Sequence, residues 1–251
     1  MIGHKLHENL RASAGYERHQ VGPFLATFTP GTIHPFRNYA IPDDGAEVSD
    51  AEIEALAAAF LLRGCRPRLE YVGRVAPQLE DQLLAAGFTV EARLPVWVYE
   101  LAAGRAARLP TGFRVADAVT DDDHRCAIAA ANAAYGETLG ESTPDQTAVR
   151  HAMVANGGRV AIIRHLQSGG VVASGLHQAP QADVVEVASV GVLPAYRGRG
   201  LASVLMGYLA GRAIAQGVEL VWLTAEHDAE ATGASKAGFV NTGEEMIHIS
   251  R

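Results

Sequence analysis

The sequence predicts an α/β (α+β) fold in which a mixed central sheet is flanked by helices and two similar modules pack together. Two apolar runs, RVAIIRHL and VVASGLHQA, enclose Ser168-Gly169-Gly170, which is a hairpin signal for antiparallel strands. An amphipathic helical stretch (200–217) is followed by the apolar run ELVWLTA (219–225), which is typical of a buried parallel strand. The third observation is a repeated order of elements.

The repeat lies in residues 69–101 and 218–250, which both have the order strand, short helix, Ala-Gly-Phe, strand. In each copy a glycine, Gly87 or Gly238, follows the last helical residue, where a left-handed C-cap is expected. The segment 101–115 is rich in Ala, Gly and Arg and indicates a linker. We therefore expect two related domains, residues 1–105 and 106–251.

Local signals predict the remaining elements of the second domain. A strand covers 113–117, and Asp121 to Asp123 place acid in the first turn of a helix that follows it. A second helix is predicted within TPDQTAVRHAMVANGG (143–158). The run DVVEVASVGVL (183–193) predicts a long strand, and the helix after it ends at Gly217.

Composition limits the classes of function. The 251 residues are 48% hydrophobic and 20% charged, enough for a buried core, and no apolar run approaches the roughly 20 residues of a membrane span. A net charge of −7 disfavours a nucleic-acid partner. Two cysteines, Cys65 and Cys126, are too few for a disulfide framework and favour a cytoplasmic protein. The histidines and cysteines lack zinc spacing, so we expect no metal.

The stretch SVGVLPAYRGRGLASVL (189–205) joins the long strand to the helix after it. A helix N-terminus offers free N–H groups to an anion, and glycines remove the Cβ atoms that would keep a phosphate away. Arg197 and Arg199 add positive charge. A dinucleotide fingerprint does not fit, because Ser203 stands at the third glycine, and a Walker A loop would need a lysine. The turn predicts a ligand that carries phosphate; a basic glycine-rich turn without a ligand is the alternative.

These residues resemble the coenzyme A signature of the GNAT superfamily of N-acetyltransferases, Gln/Arg-x-x-Gly-x-Gly/Ala. Here it is Arg197-Gly198-Arg199-Gly200-Leu201-Ala202, and the order of elements over 112–250 is similar as well. The resemblance implies acetyl-CoA as cosubstrate. It implies ten binding positions: Val190, Gly191, Val192, Arg197, Gly198, Arg199, Gly200, Leu201, Ala202 and Ser203. The first half carries no such signature and resembles the degenerate first module of tandem GNAT proteins.

Acetyl transfer requires an uncharged amine. An alkyl ammonium with a pKa near 10 is only about one part in a thousand free at pH 7, and a general base contributes typically 10²–10⁴-fold. Glu186 lies eleven residues before Arg197, an offset at which some family members carry a catalytic glutamate. Strand alternation predicts Glu186, Ala188 and Val190 on one face. We predict Glu186 as the base; an exposed or arginine-paired glutamate is the alternative.

The leaving thiolate has no obvious acid. Many members place a tyrosine four residues before the Gly-Phe glycine, and this sequence has Ala234 there. Tyr135 and Tyr208 are other candidates for the acid, and Tyr208 fits the apolar stripe of its helix, which favours a core position. Strand amides near Val190 could stabilise the oxyanion.

The sequence thus predicts an N-acetyltransferase that moves an acetyl group from acetyl-CoA to a primary amine of a small molecule or peptide. A non-catalytic acyl-CoA-binding sensor or regulatory module is the alternative. We expect a monomer or homodimer without a nucleic-acid or membrane partner.

Overall fold

The structure is a computed structural model that describes residues 2–15, 17–100, 107–136 and 144–251. It has two compact units, one containing the chain up to Val96 together with Asn241–Arg251, the other Trp97–Val240. Both combine a β-sheet with helices, which confirms the predicted mixed α/β fold. The predicted domain boundary at 105/106 lies outside the described residues, and the two-module ancestry stays a prediction.

The first unit begins with a helix and three antiparallel strands. Its elements are α1 (Ile2–Ser13), β1 (Glu17–Val21), β2 (Phe24–Phe28), β3 (Tyr39–Pro42), α2 (Asp50–Leu61), β4 (Arg68–Val72), α3 (Leu79–Ala85) and most of β5 (Thr89–Tyr99). Strand β3 pairs with β4 in parallel, at Ala40↔Leu69. The last strand of the chain, β11 (Phe239–Ser250), pairs antiparallel with β4 from Met246↔Val72 to Ser250↔Arg68.

The second unit comprises β6 (Phe113–Asp117), α4 (Asp121–Tyr135), α5 (Pro144–Ala155), β7 (Arg159–His165), β8 (Val171–His177), β9 (Val184–Val192), α6 (Leu201–Ala215), β10 (Leu220–Thr224) and α7 (Asp228–Ala237). From α5 to α7, the second unit has the same order of elements as the first unit has from α1 to α3. Strands β6 to β9 pair antiparallel in sequence order, whereas β10 pairs with β9 in parallel. The hairpin and the parallel strand that the sequence predicts are therefore both present.

Helices cover both faces of the second unit's sheet. On one face, α6 and α7 bury the larger apolar cluster, which includes Val185, Val187, Leu205 and Leu209. On the other face, Ala127 of α4 packs with Val160, Ile162 and Leu176, and Ala188 of β9 lies against them. The side of β9 to which a residue points therefore identifies the helices that it meets.

Local sequence explains where these helices begin and end. Thr120 caps α4 and forms a capping box with Asp123, and Gly136 ends the helix in a left-handed conformation at φ 71°. Gly238 ends α7 in the same way, at φ 101°, as the Ala-Gly-Phe repeat predicts. Over the described ranges, no helix is long and apolar enough to cross a membrane.

Candidate active site at the end of β9

A β-bulge divides β9 into two parts. The register with β8 runs from His177↔Val187 and Leu176↔Ala188 to Ser174↔Gly191, so β9 contributes one extra residue. Ser189 lies there with φ 53°, a left-handed conformation that is uncommon for a non-glycine residue. A bulge reverses the alternation of side chains and bends the strand, and bulges are frequent beside active sites.

The bulge corrects one expectation from the sequence, that Glu186, Ala188 and Val190 share a face. Ala188 packs on the α4 side of the sheet, whereas Val190 packs on the α6 cluster. Alternation still places Glu186 with Ala188, because no bulge separates them. The predicted base therefore lies on the α4 side, half-buried, opposite the buried Trp222 of β10.

The second part of β9, after Glu186, does not pair with the parallel strand β10. The register with β10 runs only from Leu220↔Val184 to Trp222↔Glu186. Leu193 N donates to Val172 O at 2.9 Å on the β8 side, so the backbone groups of Val192 face the opposite edge. Among the described strands, this edge of β9 is thus not covered by β10 after Glu186. We call residues Val187–Val192 on this side the free edge of β9.

Two side chains reach carbonyl groups on the free edge. The Tyr135 hydroxyl donates to Val190 O at 3.2 Å. The Arg197 guanidinium donates to Val192 O at 3.2 Å and to Ala134 O at 2.6 Å, next to the last residue of α4. Arg197 thereby ties the end of β9 to the C-terminal turn of α4, where a positive charge is favourable. Its charge is directed at these carbonyls rather than at the turn that follows.

The turn between β9 and α6 is open where a ligand would approach. A single 3-10 turn, Pro194–Tyr196, leads into Arg197, and Gly198 and Gly200 both have positive φ, 74° and 78°. A Cβ built at either glycine would have no atom within 4 Å. Glycine is therefore favoured at both positions by the positive φ of the backbone. The space beside the turn is open, as the predicted phosphate site requires.

The first amides of α6 have no side-chain cap. Gly200 is the N-cap residue, and the first helical bond is donated by Val204 N to Gly200 O at 3.1 Å. The N–H groups of Leu201, Ala202 and Ser203 precede that bond and point out of the helix end. Exposed Arg199 lies beside them, with its guanidinium carbon 5.5 Å from the centre of the Tyr196 ring. These donors suit an anion.

Helix α2 has the same position in the order of elements of the first unit as α6 has in the second, but the N-terminus of α2 is capped differently. Ser49 is its N-cap, and the Glu52 carboxylate accepts from Ser49 N at 2.9 Å in a complete capping box. Side chains of the protein, one of them an anion, thus satisfy two amides at the N-terminus of α2, those of Ser49 and Glu52. This end of α2 does not suit a phosphate.

The other sequence candidates take ordinary positions. Ala234 is fully buried in the α6 cluster. Tyr208 packs against the same cluster, as predicted, and its hydroxyl donates to Asp117 Oδ1 at 2.9 Å. Burial, together with the Asp117 charge, raises the pKa of Tyr208. In the part of the chain that the structure describes, no three His, Cys, Asp or Glu side chains form a group that could hold a metal ion.

Sequence reasoning missed the geometry around Gly191. A Cβ there would lie 2.7 Å from Ala134 Cβ, closer than real Cβ contacts allow. Gly191 therefore lets the last turn of α4 approach β9, a role different from ligand contact. The small residues of ANAAYG (131–136) are the only sequence signal for this close packing, and Ser189 gives no signal for the bulge.

The second unit is thus an α/β domain in which the bulged strand β9 leads through an open glycine turn to the uncapped N-terminus of α6. Residues 119–239, just under half of the chain, match the family model described as the acetyltransferase (GNAT) family. For that segment of the second unit, this match supports the resemblance to the GNAT superfamily.

Solved structures match the fold over more of the chain. A GCN5-related N-acetyltransferase from Kribbella flavida is 21% identical with a TM-score of 0.76, covering 99% of this chain and 95% of its own. One from Sphaerobacter thermophilus is 18% identical with a TM-score of 0.65, over 90% of this chain and 76% of its own. A tandem GNAT protein from the clavulanic acid biosynthesis pathway is 14% identical with a TM-score of 0.60, over 85% and 77%. No curated protein sequence matches this chain.

Proposed function

We propose that the protein is an N-acetyltransferase that transfers the acetyl group of acetyl-CoA to a primary amine of a small molecule or peptide. The observation that carries this proposal is the open glycine turn, with its uncapped helix amides, directly after the free edge of β9. The family match over 119–239 supports it.

The proposed cofactor site has two parts. Backbone amides of the turn, Gly198–Ser203, and the Arg199 side chain would hold the pyrophosphate. The free edge, Val190–Val192, would pair with the amide groups of the pantetheine arm. Arg197 would contribute indirectly, because its guanidinium holds Val192 O and Ala134 O in place.

The proposed chemistry uses Glu186 as general base. Its carboxylate, directly or through a water molecule, would take the proton from the acceptor ammonium and pass it to solvent. The free amine would attack the thioester carbon, and the C–S bond would break with its electron pair on sulfur. Coenzyme A would leave as the thiolate while the nitrogen loses its second proton to solvent. The backbone amides of the free edge would stabilise the developing oxyanion. The acceptor is proposed only as an amine, and the protein is proposed as a cytoplasmic monomer or homodimer.

The first unit is proposed as a degenerate module. Its order of elements from α1 to α3 matches that of the second unit from α5 to α7, but its helix α2 is capped by Ser49 and Glu52. The matching order supports a common origin, and the cap supports the loss of cofactor binding from residues 1–105. A single acetyl-CoA site per chain would follow.

Release of free coenzyme A thiol from acetyl-CoA, measured against a panel of primary amines, tests the activity. Calorimetry with acetyl-CoA on the same samples separates the proposal from a non-catalytic sensor, which would bind acetyl-CoA without releasing thiol. Absence of both binding and release would contradict the proposed function.

Substitution Gly200→Glu tests the cradle directly. It places a carboxylate in the open space where the phosphates would lie, at a position whose positive φ also disfavours a side chain. We expect acetyl-CoA binding to be lost in calorimetry while the fold persists. Gly217→Glu is the matched control, because Gly217 follows the other end of α6 with φ 90° and equally open space. Normal affinity of a folded Gly200→Glu variant would disprove the site.

A further inference from the structure

The first unit contains a cavity whose wall carries charges of both signs. The cavity has a volume of about 280 Å³ and lies between the turn after β4, helix α3, strand β5 and the middle of β11. Its polar lining consists of two arginines, three glutamates and a tyrosine: Arg74, Arg93, Glu80, Glu244, Glu245 and Tyr71. All of them belong to the same compact unit. The volume is close to the lower end of the roughly 300–1,000 Å³ of small-molecule sites.

One side of the cavity holds an arginine that a buried carboxylate keeps in place. Arg74 Nε donates to Glu244 Oε2 at 3.1 Å. The Glu244 side chain is 8% exposed, whereas that of Arg74 is 67% exposed. Only Nε is used, and among the described residues the two terminal nitrogens of Arg74 have no hydrogen-bond partner. The free fork of a guanidinium matches the two oxygens of a carboxylate.

Helix α1 explains why Glu244 is a fixed anchor for this arginine. A Cβ built at Gly3, in the first turn of α1, would lie 3.4 Å from both Cδ and Oε1 of Glu244. The carboxylate therefore packs beside the N-terminal turn of a helix, where negative charge is favourable. The backbone of Glu244 is held as well, since its N–H donates to Thr242 Oγ1 at 3.1 Å. Arg74 is thus oriented before any ligand binds.

A second group of charges belongs to α3, β5 and β11. The Arg93 guanidinium donates to the Glu80 carboxylate. Glu245 Oε2 lies 3.9 Å from Arg93 Nη1, too far for a hydrogen bond, and the Glu245 side chain is 51% exposed. Within the described chain, the Glu245 carboxylate accepts no hydrogen bond. It can therefore accept from a ligand ammonium without giving up a bond within the protein.

Tyr71 adds a buried polar group that lacks a partner. Its side chain is fully buried, and its hydroxyl has no hydrogen-bond partner among the described residues. Buried hydroxyl groups are usually hydrogen-bonded, because an unpaired one is costly to bury. Burial, together with the charge of Glu80, raises the pKa of Tyr71, so the phenol remains protonated and can donate. An oxygen atom of a ligand in the cavity would supply the missing partner.

The balance of charges indicates the class of ligand. A phosphate would meet three glutamates, and a polyamine would meet two guanidinium groups. A molecule with one charge of each sign uses the free donors of Arg74 and the free acceptor of Glu245 together. Charge-assisted hydrogen bonds of this kind are the stronger ones in proteins.

We propose that this cavity binds a small zwitterion, an amino acid with one free ammonium and one free carboxylate group. The fork of Arg74 holds the carboxylate, Glu245 accepts from the ammonium, and the Tyr71 hydroxyl donates to a ligand oxygen. The proposal concerns the first unit alone and does not depend on the acetyltransferase function proposed for the protein. It gives a binding role to the unit whose helix α2 does not suit a phosphate.

The first experiment measures thermal denaturation of the full chain with each of the protein amino acids, β-alanine and 4-aminobutyrate at about 10 mM. A ligand that binds only the folded state raises Tm. Calorimetry then compares the tightest ligand with two analogues, one without the ammonium group and one without the carboxylate. We expect each analogue to bind about tenfold more weakly or worse, because each leaves one charged group of the site unused.

Substitutions in the cavity locate the binding. Arg74→Gln and Glu245→Gln should each weaken the amino acid's binding about tenfold or more. Tyr71→Phe removes only the unpartnered hydroxyl, so it should keep or raise the Tm of the free protein while it weakens binding. Arg125→Gln is the matched control, because Arg125 is an exposed arginine of the second unit that donates to the Asp122 carboxylate, also at 3.1 Å. It should bind the amino acid as the wild type does.

Three results would overturn the proposal. The first is that none of the amino acids raises Tm or binds in calorimetry. The second is binding that Arg74→Gln and Glu245→Gln leave unchanged, since the ligand would then lie elsewhere on the protein. The third is an analogue with a single charge that binds as tightly as the amino acid. Glu245→Gln and Tyr71→Phe remove no hydrogen bond of the described protein, so weakened binding in these variants would not come from misfolding.

Discussion

Glu186, the proposed general base, lies at a distinctive position on β9. It is paired with Trp222 at the last point where β9 and β10 run in register. Immediately beyond it the strands no longer pair, and the free edge begins. The carboxylate at that point is half-buried and precedes the segment Val190–Val192 that is proposed to pair with the pantetheine arm. That position supports the sequence prediction of Glu186 as base.

Substitution Glu186→Gln tests this role. Glutamine keeps the size of the side chain but cannot accept the proton, so kcat should fall by about 10²-fold or more. The loss should shrink as pH rises, because the free amine fraction increases without the base. Acetyl-CoA affinity should be unchanged. Glu219→Gln, at an exposed residue before β10, is the control and should behave as wild type.

A different result would identify a binding role. If Glu186 only attracts a cationic acceptor, the glutamine variant should show a raised KM for the amine and a nearly normal kcat. A variant with wild-type kcat and KM at every pH would remove Glu186 from the mechanism.

At the residue level, the sequence predicts the backbone role of the turn glycines better than the hydrogen-bond partners of the arginine beside them. Gly198 and Gly200 were predicted from the need for close approach, and their positive φ and open surroundings agree with that reason. Arg197 is predicted as a ligand contact from its charge and from its place in the signature. Its guanidinium instead bonds to two carbonyls. A side chain's partner depends on which distant element reaches it, and the local pattern does not contain that information.

At the level of elements, periodicity and turn signals predicted most of the second unit. The strand predicted at 183–193 is observed at Val184–Val192, and the helix predicted at 200–217 at Leu201–Ala215. The bulge at Ser189 was not predictable, because its positive φ is adopted by a serine rather than a glycine. The bulge places Val190 on the face opposite to Ala188.

The contact between α4 and β9 should be sensitive to a single methyl group. Gly191→Ala places Cβ 2.7 Å from Ala134 Cβ, so the last turn of α4 or the end of β9 must shift. We expect a loss of about 1–3 kcal/mol in the free energy of unfolding, measured by denaturant titration. Acetyl-CoA affinity should fall as well, because Val190 and Val192 flank this position.

A compensating variant distinguishes crowding from other effects. Ala134→Gly removes the clashing methyl group, and the next contacts of the new Cβ would be ordinary, 3.5 Å to Ala131 Cα and 3.6 Å to Tyr135 Cε2. The double variant Gly191→Ala/Ala134→Gly should therefore be more stable than the sum of the single changes predicts. If the changes in the free energy of unfolding were strictly additive, steric conflict between residues 191 and 134 would not explain the loss.

For the whole molecule, the linear repeat predicted the order of elements but not the compact units. The repeat places residues 218–250 in the second domain as one block. In the structure, Asn241–Arg251 belong to the first compact unit, because residues 246–250 pair with β4. Conversely, Trp97 and Tyr99 pack on the core of the second unit. A repeat records the order of elements along the chain, whereas strand pairing decides which segments form a compact unit.

This difference predicts how fragments behave. Residues 106–251, the predicted domain, would carry the end of β11 without β4, exposing Met246, Ile247 and Ile249, all buried in the full chain. They would also lack Trp97 and Tyr99, the latter 5.3 Å from Phe239 between ring centres. Loss of two aromatic core contacts costs about 3–6 kcal/mol, a large part of the roughly 5–15 kcal/mol that stabilises a domain.

We therefore expect the fragment 106–251 to aggregate on size-exclusion chromatography, because an unpaired apolar strand favours association. The fragment 97–240, which follows the compact unit, keeps both aromatic residues and omits the unpaired strand end. It should elute closer to its monomer size and melt at a higher temperature in circular dichroism. If 106–251 were monomeric and more stable than 97–240, the strand pairing of β11 with β4 would not determine where the folding units divide.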